Sequence, residues 1–234
     1  MAYDMGMYSD TVRARAARNV LISAAPRVSA EGAILYPGLG KRIFDVVFVL
    51  IIALPVLLVL AVLALLVAMD GKSPFYVQQR LGRHGRVFRM YKLRSMVADA
   101  DQVLAAYLES NPAARAEWNR DQKLKNDPRI TWVGRLIRKT SLDELPQFLN
   151  VLKGDMSVVG PRPMMCTQKD LYPGTEYYEM RPGITGAWQT SVRNESSFEQ
   201  RAEYDRDYFY KLSLLTDLKI VMRTFGVVMK ATGH

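Results

Sequence analysis

Residues 43–69 read IFDVVFVLIIALPVLLVLAVLALLVAM, 27 positions of which only Asp45 and Pro55 lie outside the apolar set. The run is too long for a core strand and too uniformly apolar for an amphipathic helix, so it predicts a membrane-seated helix. It begins 42 residues into the chain, is longer than the apolar core of a signal peptide, and precedes no small-residue cleavage site. Lys41 and Arg42 come before it; Lys72, Arg80, Arg83, Arg86 and Arg89 come after. Positive flanks favour the cytoplasm at both ends, which one straight span cannot satisfy. A re-entrant helix-break-helix can, with Pro55 as the break, because proline removes an N–H and clashes with the preceding turn. Each arm would be about 20 Å long at ~1.5 Å per residue, too short to cross. A straight tilted span, which strands the basic flank outside, and the buried helix of a soluble protein are the alternatives.

Outward from this segment the 234 residues divide three ways: a mobile leader at 1–40, the membrane hairpin at 41–72, and a cytosolic-face domain at 73–234. One cysteine, Cys166, and two histidines, His84 and His234, exclude a disulfide framework and a Cys/His zinc site. A metal would have to be a hard ion on oxygen ligands. The net charge of +9 is concentrated. Residues 71–140 carry 15 basic and 6 acidic side chains, whereas residues 141–234 carry 11 and 12. Such a block suits nucleic acid, an anionic membrane or a phosphorylated substrate. No helix-turn-helix, zinc or RNA-stacking signature accompanies it, so no nucleic acid is expected.

The third segment mixes elements, and the fold class expected is α+β. Phe75-Tyr76-Val77 and Val87 to Tyr91 read as paired strands around the glycine turn Gly82 to Arg86. Residues 98–125 read as charged helix interrupted at Asn111-Pro112 and ended by Asn126-Asp127-Pro128. Thr131 to Arg138 is a short apolar-basic element. Lys153 to Pro163 reads as a turn, a short strand and an arginine, Arg162, restricted by prolines on both sides. A fixed guanidinium suits phosphate or carboxylate, or a structural salt bridge. Met180 to Gln189 reads as a loop. Leu212 to Met229 carries apolar residues at 214, 218, 221, 225 and 228, an amphipathic helix for the domain or the membrane interface. Asp217 beside that stripe reads as solvated.

Ser141 to Leu152 contains an acidic pair, Asp143-Glu144. Ser141 and Glu144 have capping-box spacing, and acids belong in a first helical turn. Local pattern alone leaves helix start and catalysis both open.

The motifs together resemble the bacterial sugar transferase family, the monotopic phosphoglycosyltransferases. The resemblance rests on Lys41 to Asp45, Tyr91 to Met96, Asn126 to Thr131, Arg138 to Leu145 and Lys153 to Pro163. Arg181 to Gln189, Arg193-Asn194 and Thr216 to Lys219 complete it. It covers nearly everything after the leader. It implies transfer of a phosphosugar from a UDP-sugar, glucose or galactose by overall likeness, to undecaprenyl phosphate with Mg²⁺ and release of UMP. The place implied is the cytoplasmic face of the bacterial inner membrane, among its phospholipids, with an oligomer allowed. Asp143 becomes the nucleophile and Glu144 its partner on the metal. Asp217 is a further acidic position that matters in relatives. Lys92, Arg138 and Arg162 become the phosphate-binding cations, and Arg193 falls near the nucleotide. Relatives often break the hairpin at Ser-Pro; Leu54 precedes Pro55 here. A non-catalytic scaffold of a polysaccharide assembly is the rival expectation, indifferent to Asp143→Asn.

Overall fold

A computed structural model describes residues 36–121, 124–191 and 198–229. The leader up to residue 35 and Arg193 lie outside them. After a helical turn at Tyr36–Gly40, α1 (Lys41–Ala68) holds the apolar run. It is helical throughout, so Pro55 lies inside the helix and not in a gap between two arms. Lys41, Asp45 and Val49 are buried near its start and Leu63 and Val67 near its end, while Leu50, Ile51, Leu54, Leu57 and Leu58 between them are exposed. A soluble core helix would bury that middle; a helix seated in lipid leaves it open.

Strands β1 (Phe75–Leu81) and β2 (Val87–Leu93) form the expected hairpin, Phe75 opposite Leu93 and Leu81 opposite Val87. The connection needs positive φ at His84 and Gly85, +58° and +71°. Helices α2 (Ala100–Ser110) and α3 (Pro112–Asp121) meet at the Asn111-Pro112 interruption. Asn111 accepts from Ala114 N at 3.0 Å, which starts the second helix. Then α4 (Trp132–Lys139) is capped by Thr131, whose hydroxyl accepts from Gly134 N at 2.9 Å.

The next stretch departs from expectation. Ser141 starts no α-helix and its side chain caps nothing; it is left-handed at φ +56°. Asp143 and Glu144 lie in a 3-10 turn, Leu142–Glu144, and α5 (Gln147–Lys153) begins only after Pro146. Proline suits a helix start but disfavours helix just before it.

Strand β3 (Ser157–Val159) pairs in parallel with β4 (Gly183–Thr185), inside the stretch read as a loop. Three residues carry no alternation to read. What permits the pairing is the absence of side chains: a Cβ on Gly183 would overlap the Gly160 nitrogen, and one on Gly160 the Arg181 carbonyl. Gly183→Ala is expected to force the two strands apart at a cost of about 1–3 kcal/mol, read as a lower denaturant midpoint; an unchanged midpoint would contradict this packing.

The last elements are α6 (Glu176–Glu179), α7 (Phe198–Tyr210) and α8 (Leu214–Met229). Val49, Met90, Val151, Val158, Tyr208 and Ile220 build the main core, joining α1, β2, α5, β3, α7 and α8. A second cluster packs Leu63 and Val67 of α1 on Leu93 and Ile137. Both ends of α1 therefore dock on one folded unit. The stripe expected on α8 divides. Leu214, Leu218 and Phe225 are exposed with Met222, while Asp217, Ile220 and Val221 face inward.

Candidate active site

Lys92 owes its position to a substitute strand. Asn150 of α5 is fully buried and lies along the free edge of β2, where its Oδ1 accepts from Tyr91 N at 3.0 Å and its Nδ2 donates to Arg89 O at 2.7 Å. An amide side chain thus satisfies the edge of β2 beside Lys92. The Lys92 ammonium donates to Glu144 Oε1 at 2.9 Å and lies 3.6 Å from Asp143 Oδ2. The turn after α4 presents both carboxylates to it. Burial holds the Asp143 carboxyl above the usual carboxylate range; Glu144 adds to this, while Lys92 and Arg138 oppose it. A poorly hydrated carboxylate next to fixed cations is equipped to attack an electrophilic centre.

Glu144 of the dyad borders a small cleft, partly open to solvent, lined by Arg80, Lys92, Gln147, Arg162 and Gln189 among others. Pro161 and Pro163 are buried on either side of Arg162, whose exposed guanidinium sits 5.9 Å from the centre of the Trp188 ring. Arg201 of α7 supports this loop from beneath. It donates to the Arg162 carbonyl, lies 5.8 Å from the Trp188 ring, and pairs with Asp205 at 3.8 Å. Tyr172 donates its hydroxyl to Asp205 at 2.9 Å.

Burial pushes the Asp205 carboxyl up to about 6, against the pull of Arg201 and Tyr172. Its folded value lies above the roughly 3.9 of an unfolded aspartate, so the folded chain binds the extra proton. The cost of ionising it is present above pH 6 and fades as pH falls towards 4. Asp205→Asn has no such titration. Between about pH 7 and about pH 5 the wild type is expected to gain about 1 kcal/mol relative to this variant, measurable by denaturant unfolding at both pH values. A constant difference would contradict the buried acid.

The structure brings Asp143, Glu144 and Lys92 together, with Arg138 close enough to act on Asp143 and Arg162 among the residues that line the same cleft. It does not bring Asp217 to them. Asp217 is fully buried among Lys41 Nζ at 2.7 Å and the Tyr36 and Tyr208 hydroxyls, each at 2.6 Å. That corrects its reading as a solvated residue, and places it where α8 meets the start of α1. Arg80 and Gln189 were missed. An arginine in strand alternation and a glutamine closing a loop look like surface, and only the fold turns them inward.

Among the described residues no three His, Cys, Asp or Glu side chains gather as a metal cage. Two adjacent carboxylates fit the other mode of holding Mg²⁺, in which one or two protein oxygens share the ion with substrate phosphates and water.

Residues 36–231 match the sequence model described as Bacterial sugar transferase. The chain belongs to the bacterial sugar transferase family. Among curated members it is 49% identical over 195 residues to the UDP-galactose-lipid carrier transferase of Erwinia amylovora, covering 82% of this chain and 41% of that protein. It is 49% identical over 198 residues to the undecaprenyl-phosphate galactose phosphotransferase of Salmonella typhimurium, with the same two coverages, 82% and 41%. It is 45% identical over 200 residues to the exopolysaccharide production protein ExoY of Sinorhizobium fredii, covering 84% of this chain and 88% of that one. The chain thus spans about two fifths of the first two family members and most of the third.

Proposed function

We propose that this sugar transferase moves a phosphosugar from a UDP-sugar, UDP-glucose or UDP-galactose, to undecaprenyl phosphate with release of UMP, the first membrane step of exopolysaccharide synthesis. The observation that carries the proposal is Lys92 shared by Asp143 and Glu144 on the wall of a cationic cleft. Asp143 attacks the β-phosphorus of the donor. The bond from that phosphorus to the bridging oxygen breaks, and UMP leaves with the electron pair. The resulting aspartyl-phosphosugar is attacked by an oxygen of undecaprenyl phosphate, and the phosphorus–aspartate bond breaks to restore the carboxylate. Lys92, Arg138 and Arg162 offset the repulsion between a carboxylate and a diphosphate. Glu144 and Asp143 would hold Mg²⁺, which when bound supplies further positive charge to the phosphates.

Seating at the cytoplasmic face by a re-entrant α1, bent at Pro55, completes the proposal. Its support is that both ends of α1 are tied to the same unit: Arg42 donates to the Val151 and Leu152 carbonyls, and Arg94 to the Val67 carbonyl and Asp70. A straight helix across ~30 Å of hydrocarbon would leave its ends on opposite sides. Exposed Trp132 and Leu136 on α4, and Leu215, Leu218, Met222 and Phe225 on α8, suit a membrane interface.

The test is UMP release by detergent-solubilised chain with Mg²⁺. A two-step transfer gives about one UMP per chain with the matching UDP-hexose alone, and continuous release once undecaprenyl phosphate is added. No release with any UDP-hexose, from folded protein beside a working control enzyme, would remove the proposal.

A further inference from the structure

We propose that Arg80 and Gln189 recognise the sugar donor, Arg80 through a phosphate and Gln189 through a hydroxyl group; the proposal rests on the transferase reading above. Both residues line the cleft, and each leaves one buried polar atom without a hydrogen-bond partner: Arg80 Nε and Gln189 Oε1. A buried polar atom without a partner is costly, and one such atom in a native fold calls for a reason. Two of them, of opposite hydrogen-bonding sense and on the same cleft, point to a ligand that supplies an acceptor and a donor together.

Arg80 is the cationic half. It extends from β1 and keeps one good hydrogen bond, from Nη2 to Gln78 Oε1 at 2.6 Å, with a long contact from Nη1 to the Pro163 carbonyl at 3.4 Å. Among the described residues no carboxylate lies within ion-pair distance of Arg80 or Arg162. Burial, then the neighbouring charges of Arg162 and Arg201, hold the pKa of the Arg80 guanidinium below its ordinary value. Burying a guanidinium beside another one is unfavourable in the free chain, and an incoming phosphate reverses the sign of that interaction. Lys92 is shared with the two carboxylates, whereas Arg80 and Arg162 on the same cleft are in ion-pair contact with none of the described carboxylates and can meet a phosphate.

Gln189 is the neutral half. Its Nε2 donates to the Ile184 carbonyl at 3.1 Å, which fixes the amide so that Oε1 is the atom left over. The space it occupies exists because residue 186 is glycine; a Cβ there would stand 2.7 Å from Gln189 Oε1. A bare amide oxygen accepts from hydroxyl and amide donors, and a hexose or ribose offers hydroxyls. The cleft is small and partly open to solvent, so it takes one phosphate edge and an adjoining hydroxyl while the rest of the donor lies outside.

The experiment uses the full chain in detergent. Calorimetric titration with UMP and with uridine is run on wild type, Arg80→Lys, Arg80→Gln and Asp143→Asn. The expected result is that both Arg80 variants lose about tenfold or more of the UMP affinity with uridine binding unchanged, and that Asp143→Asn still binds UMP. Gln189→Met, with Gln189→Leu as a second variant, is expected to raise the donor KM about tenfold with a smaller change in kcat. Unfolding midpoints near wild type show that each variant is folded. UMP binding unchanged in both Arg80 variants, or an unchanged donor KM in the Gln189 variants, would overturn this inference and leave the transferase reading standing. No UMP binding by the wild-type chain would overturn both.

Discussion

Asp143→Asn is expected to lower the rate of UMP release by about a thousandfold or more while leaving the fold intact. The amide has the shape of the carboxylate but does not form the acyl-phosphate bond. Lys92 keeps its 2.9 Å partner Glu144, so no buried ammonium is orphaned. Burial disfavours the Asp143 charge, so neutralising it removes a strain from the folded state. The unfolding midpoint should therefore hold or rise slightly. That combination separates a nucleophile from a structural acid, whose loss would lower the midpoint along with the rate. The scaffold expectation makes the opposite forecast, a variant without a defect. Turnover at the wild-type rate in Asp143→Asn would sink the assignment.

Lys41→Met is expected to cost about 3–5 kcal/mol of stability, the largest structural effect of any single change considered. The Asp217 carboxylate has no exposure to solvent, and Lys41 is the only cation within ion-pair distance of it among the described residues. The two phenols remain as donors, and burial beside Asp217 keeps the Tyr208 proton firmly on its oxygen. Hydrogen bonds alone do not balance a buried charge, so the folded state must bear its desolvation or open the core to water. The double variant Lys41→Met/Asp217→Leu removes both charges and should recover part of the loss, with a coupling energy of about 1–3 kcal/mol. Denaturant unfolding in detergent reads wild type, Lys41→Met, Asp217→Leu and the double variant, the four proteins the coupling energy needs. A single variant within about 0.5 kcal/mol of wild type would mean that the ion pair contributes nothing to the folded state.

The sequence announced what depends on long patterns. The apolar run, the hairpin around its glycines, the division at Asn111-Pro112 and the existence of the last helix all extend over enough residues to be read locally. It also offered Asp143, Glu144, Lys92, Arg138 and Arg162 as candidates, although their assignment needed a family likeness and not spacing alone. Features set by distant contacts stayed hidden. Ser141 looked like a cap because its spacing to Glu144 was right, yet Lys92, 52 residues away, takes the Glu144 carboxylate instead. Strand β4 has three residues and pairs only because two glycines meet. Asp217 sat beside an apolar stripe and looked wet; what buries it is Lys41 and Tyr36, at the far end of the chain.

That last contact sets an order of events during synthesis. Lys41 and Asp217 are 176 positions apart, so at ~5–20 residues per second the partner emerges about 10–35 s after the lysine. For most of that interval α1 is complete and its first turn carries an ammonium without its counter-ion. The apolar helix must find the bilayer before the domain that fastens its beginning exists. Helix α8 then acts as a latch, closing on α1 only once residue 217 has been made.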